Sequence, residues 1–154
     1  MGICESKNEI KKPESLINHI NIGSKSNNMI IAEIKIKEED INKDIRIINS
    51  YEEINRVIEL KSYTEFQNER ELKENCKIEI SGNTIPFNYF YKFNNKGNYI
   101  IKYLFSKNLT NIKYMFCLCD SLTKIDFSLF NSQSIINIAG LFAVCKSLKS
   151  ILKM

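Results

Sequence analysis

The chain has 154 residues, 44% of them hydrophobic and 26% charged, and a formal charge of +4. That balance excludes a disordered polymer and allows one ordinary domain, or two small modules, with a real core. No apolar run approaches the ~20 residues of a membrane span, and the opening MGICESKNEIKKPES turns charged too soon for a secretory signal.

The charge is unevenly spread. Residues 90–154 carry nine lysines against Asp120 and Asp126, which sums to +7. Such an end suits an acidic protein or an anionic lipid surface. There is no arginine after Arg70, so the bidentate guanine contacts of DNA readers are missing and nucleic acid is not expected. A cytosolic, reducing setting makes a disulfide framework among Cys4, Cys76, Cys117, Cys119 and Cys145 improbable.

The first predicted element is an address. MGICES fits M-G-x-x-x-[ST], with Gly2 as the myristoylation site and Ser6 at the required offset. One acyl chain holds a membrane only reversibly, and Cys4 is placed to supply a second as a palmitoyl site. Residues 1–28 therefore read as a lipidated flexible tether, which puts the protein on the cytoplasmic face of a membrane or, without acylation, in the cytoplasm.

Residues 29–106 read as a β-rich domain. MIIAEIKIK (29–37) alternates, with Ile30, Ala32, Ile34 and Ile36 on one side and Glu33, Lys35 and Lys37 on the other. That is the pattern of a half-buried strand. IRIINS (45–50) follows as a second strand. Ser50 and Glu53 have capping-box spacing ahead of Ile54, Val57 and Ile58, which predicts a short helix near 51–60. The charged stretch 61–75 predicts a loop with one helical turn. CKIEI (76–80) and a turn at Gly82-Asn83 precede IPFNYFYKF (85–93) and NYIIKYLF (98–105). Matching aromatic stripes predict that the last two form a hairpin. The expected product is a small antiparallel, sandwich-like sheet.

Residues 107–154 contain a period of 26. Asn111-Ile112 recurs as Asn137-Ile138, Phe116 as Phe142, Cys119 as Cys145, Ser121-Leu122 as Ser147-Leu148, and Ile125 as Ile151. The period lies in the roughly 20–29 residue range of leucine-rich repeats. The equivalent thiols then read as small buried filler. Metal binding by Cys117, Cys119 and Cys145 fails on ligand count and spacing, and the single histidine, His19, lies in the tether. No metal or other cofactor is expected.

The segment LTNIKYMFCLCDSLTKIDFSLFNS resembles the BspA-like leucine-rich repeats of protozoa and some bacteria, matching at Asn111, Met115, Phe116, Cys119, Ser121, Leu122, Ile125 and Asp126. The resemblance implies an α+β, mostly β chain in which one to two repeat units stack on the end of the antiparallel domain. It implies a protein-interaction or adhesion role and carries no catalytic residues. Fewer than two full units would leave an edge near Leu148–Met154 open to self-association or docking.

The expected function is a membrane-tethered protein-interaction or scaffold module without catalytic activity, with a binding face around Lys113, Asp120, Lys124, Asp126, Lys146 and Lys149. The alternatives are a surface adhesion-type repeat protein and, less favoured, a small enzyme using carboxylates such as Glu38, Glu39 and Asp40. No Gly-rich phosphate loop or nucleophile elbow supports the last.

Overall fold

A computed structural model describes residues 28–58 and 67–153. Its frame is a six-stranded sheet of order β4-β3-β6-β1-β7-β8, beside a two-stranded ribbon β2-β5. The strands are β1 (Met29–Ile36), β2 (Asp44–Arg46), β3 (Cys76–Ile80), β4 (Asn83–Ile85), β5 (Phe90–Lys92), β6 (Gly97–Phe105), β7 (Leu122–Asp126) and β8 (Ser150–Leu152). All pair antiparallel except β7 and β8, which run parallel.

The alternation in 29–37 does form a strand, but a central one. β1 lies between β6 and β7, in register Ile30↔Tyr103 and Ala32↔Ile125. Its apolar stripe Ile30, Ala32, Ile34 and Ile36 enters one core with Ile78, Ile101, Tyr103, Phe116 and Ile125. Ile31 on the opposite side is buried as well.

Helix α1 spans Tyr51–Ile58, and its first turn is held by Glu53 N–H donating to Ser50 Oγ at 3.0 Å. That is the capping interaction that the Ser50–Glu53 spacing anticipates. A second helix, α2 (Glu69–Asn75), takes up part of the stretch expected as loop. Leu72 anchors it in the core, and Arg56 on α1 bonds both Glu69 oxygens, at 2.9 and 3.2 Å.

The expected hairpin between 85–93 and 98–105 does not form. Both edges of β6 are occupied, by β1 and β3, so β5 pairs with β2. The aromatic stripe is used for packing across the layers: Phe93 is buried and its ring lies 4.6 Å from that of Tyr99. The hairpin that does form is β3–β4, where Ser81 (φ 50°) and Gly82 (φ 85°) are both left-handed, as the twist of tight hairpins favours.

The two-part architecture is also corrected. Residues after 107 are not repeat units stacked on the end of a separate antiparallel sandwich. β7 hydrogen-bonds to β1 within one mixed, uncurled sheet, and one core runs from Ile30 to Leu141. The described residues form no leucine-rich-repeat solenoid, and the resemblance to the BspA-like family is not supported. The 26-residue recurrence records a local relation between two backbone windings, 111–119 and 137–145, that leads into the parallel β7–β8 pair. Ile112, Tyr114, Phe116 and Leu118 donate N–H bonds of 2.9–3.0 Å to the carbonyls of Asn137, Ala139, Leu141 and Ala143. In-register likeness is what two neighbouring segments in parallel contact require, because each side chain meets its counterpart; Phe116 stacks on Phe142 at 6.0 Å.

Candidate functional site

A basic cleft forms where the C-terminal end of β1 meets the start of β7 and of β8. Strand parity puts Lys35 and Lys37 on the side opposite Ile34 and Ile36. The Lys35 N–H bonds Ser121 O, and the Lys149 N–H bonds Thr123 O, each at 2.9 Å. These backbone bonds draw Lys35, Lys37, Lys146 and Lys149 around a cleft of about 490 Å³, with Asp40, Asp120 and Thr123 also in its wall.

The lysines differ in their neighbours. Lys146 Nζ meets Asp120 at 3.0 Å and Lys37 Nζ meets Glu39 at 3.6 Å. Lys35 and Lys149 make no ion pair among the described residues, so two full charges remain for a ligand. Thr123 Oγ1 is engaged with Glu33 O at 2.9 Å and serves the sheet.

The six residues expected to share one binding face are not gathered in one place. Asp120, Lys146 and Lys149 line the cleft. Lys124 reaches Glu33 on the neighbouring strand at 3.2 Å. Lys113 lies over the Tyr51 ring, 4.4 Å from its centroid. Asp126 is 1% exposed, accepts from Ser128 N–H at 2.8 Å through Oδ1, and has no hydrogen-bond partner at Oδ2 among the described residues. Lys35 and Lys37 were absent from the expected face, although their shared parity at a strand end was readable. Gly2 and Cys4 lie outside the described residues.

Burial favours the protonated form of the thiols among the described residues. Burial pushes Cys119 well above the ordinary thiol range, Cys145 up to about 11 and Cys76 up to about 12. Cys145 Sγ donates to Phe116 O at 2.9 Å. Among the described residues no three His, Cys, Asp or Glu side chains are placed to hold a metal ion. Glu38, Glu39 and Asp40 sit on an exposed single turn, where Lys96 pairs with Glu38 at 2.6 Å.

A second polar cluster joins the helices to β5. Tyr89 OH donates to Glu69 Oε1 at 2.8 Å and lies 2.9 Å from Ser50 Oγ. The Arg56 guanidinium, then Lys73 and Tyr89, hold the Glu69 carboxyl down at about 2. A depressed carboxylate stabilises the fold above its unfolded pKa and loses that contribution as pH falls through the folded value. Thermal melts of the native chain and Glu69→Gln should therefore differ most above pH 5 and converge towards pH 2.

The fold and cleft together define a small α+β domain built on a mixed sheet with a basic rim. Comparison with known proteins finds no match: no family model fits the chain, and no curated protein or solved structure is significantly similar. The expected leucine-rich-repeat role, as membrane-tethered interaction scaffold or adhesin, falls with the absent solenoid and the absent family match. Among the described residues no helix is long and apolar enough to cross a membrane.

Proposed function

We propose that this domain recognises phosphate-bearing headgroups at an anionic membrane surface and performs no catalysis there. The observation that carries the reading is the convergence of Lys35, Lys37, Lys146 and Lys149 on one cleft, two of them without a carboxylate partner. Each lysine near an anionic bilayer contributes about 1 kcal/mol. A single myristoyl chain is a marginal anchor that needs a second signal. Acylation at Gly2 and Cys4 would supply the apolar part on the cytoplasmic face, and the cleft the electrostatic part.

Sedimentation of the full chain with vesicles tests this. Binding should be strong on phosphatidylserine-containing vesicles, weak on pure phosphatidylcholine, and should fall with added salt. Lys35→Glu with Lys149→Glu should weaken it more than tenfold, whereas Lys77→Glu, remote from the cleft, should leave it unchanged. Equal binding to both vesicle types, or by the double variant, would remove the reading.

A further inference from the structure

The two windings carry a polarity that their side chains conceal. Tyr114 (φ 56°) and Leu118 (φ 60°) are left-handed, and so are Gly140 (φ 64°) and Val144 (φ 60°), each pair 26 residues apart. Short bonds from residue to third-preceding residue recur as well: Met115, Cys117 and Cys119 to Ile112, Tyr114 and Phe116, then Leu141, Ala143 and Cys145 to Ile138, Gly140 and Phe142. The N–H groups of Ile112, Tyr114, Phe116 and Leu118 thereby lie along one edge of the ribbon and the carbonyls of Asn111, Lys113, Met115 and Cys117 along the other. All four bonds between the windings accordingly run one way, from N–H of the first to C=O of the second.

A ribbon of this kind has two unlike ends. At the carbonyl end, Asn68 Nδ2 donates to Asn111 O (3.3 Å) and Lys113 O (2.8 Å). Asn49 completes the cover, its N–H bonding Met115 O at 2.7 Å and its Nδ2 bonding Cys117 O at 2.9 Å. At the other end, the N–H groups of Ile138, Gly140, Phe142 and Val144 correspond to the four donors of the first winding and have no acceptor among the described residues. The apolar counterparts change likewise. Ile112 is 2% exposed but Ile138 48%, and Ile125 is fully buried but Ile151 is 46% exposed.

We propose that this N–H edge of the second winding docks an acidic polypeptide segment, which lays oxygen acceptors along the donor row and apolar side chains against Ile138, Val144 and Ile151. The complementarity is one of charge. The edge offers donors only, and Lys149 and Lys153, which flank Ile151 in the chain, make no ion pair among the described residues. A second copy is a poor occupant, since two-fold pairing of this edge sets donors against donors and the carbonyl edge is covered by Asn49 and Asn68.

The test uses the full chain and a fluorescein-labelled peptide of residues 134–153 carrying Lys146→Glu, Lys149→Glu and Lys153→Glu. That segment already presents its carbonyls to such a donor row. Binding should slow amide exchange at Ile138, Gly140, Phe142 and Val144 at least tenfold. Ile138→Glu with Val144→Glu, both at exposed positions, should weaken the peptide at least tenfold, and Val57→Glu with Ile58→Glu should not. Unchanged exchange, or equal losses in the two variants, would overturn the proposal. Protection of the same amides by anionic vesicles and not by the peptide would overturn it too, as would a dimer sealed through this edge in the absence of peptide.

Discussion

Asn49→Leu is expected to lower the stability of the domain by about 3–5 kcal/mol, a large share of the roughly 5–15 kcal/mol that a domain possesses. Asn49 is fully buried. Its Nδ2 serves Cys117 O at 2.9 Å, while its Oδ1 accepts from Ser50 N–H at 3.0 Å and Arg46 Nη1 at 3.2 Å. Leucine has a similar volume but satisfies none of these groups, and each buried group left short costs about 1–3 kcal/mol. The loss should appear as a lower urea midpoint and as faster amide exchange at Phe116 and Leu118, beside the Met115 and Cys117 carbonyls that Asn49 covers. A midpoint within error of the native chain would mean that these bonds are not what holds the first winding to the helices.

Gly140→Ala is the second large effect, expected at about 2–4 kcal/mol. A left-handed conformation alone costs an L-residue about 1–2 kcal/mol, and Gly140 has φ +64°. The space is also taken: a Cβ there would lie 2.0 Å from Tyr114 Cε1. Tyr114 cannot yield freely, because its ring is stacked on Tyr51 at 6.0 Å, with 18° between the planes. A double-mutant cycle with Tyr114→Ala separates the two causes. Removing the ring should restore the part of the loss due to the clash and leave the backbone part. Equal losses in both backgrounds would rule out the close approach as a cause. The melting temperatures of the four proteins supply the measurement.

Tyr114 occupies the position equivalent to Gly140 in the first winding and is itself left-handed, at φ 56°. The two windings therefore share a backbone but not a glycine. The larger residue stands in the first and the smaller in the second, which leaves the Tyr114 ring room to lie over Gly140.

What could be read in the sequence was mostly local. The apolar stripe of β1, the Ser50 cap of α1 and the recurrence at 26 all depend on residues near one another or on exact spacing. The hairpin expected between 85–93 and 98–105 was misread because aromatic alternation says that a strand has a packing face, not which strand lies beside it. The same limit explains the misassigned repeat family. Matching residues at 26-residue spacing identified segments that touch, while the sheet to which they belong was decided by β1, some ninety residues earlier in the chain than β7.

The candidate site divides along the same line. Lys146 and Lys149 were legible as part of a basic C-terminal region, and strand parity put Lys35 and Lys37 together. Their meeting across one cleft rests on the Ser121–Lys35 and Thr123–Lys149 backbone bonds, which no local pattern encodes. Asp126 shows the converse: an aspartate beside a lysine-rich stretch reads as surface, yet β7 turns it into the interior.

By itself, then, the sequence determined the periodicities, the turn chemistry and the surplus of positive charge, since these follow from the side chains and their near neighbours. Only the tertiary structure decided which edges are paired and which stand open. Hydrogen-bond partners are chosen by competition among all strands for each edge, and that competition is settled when the whole sheet assembles.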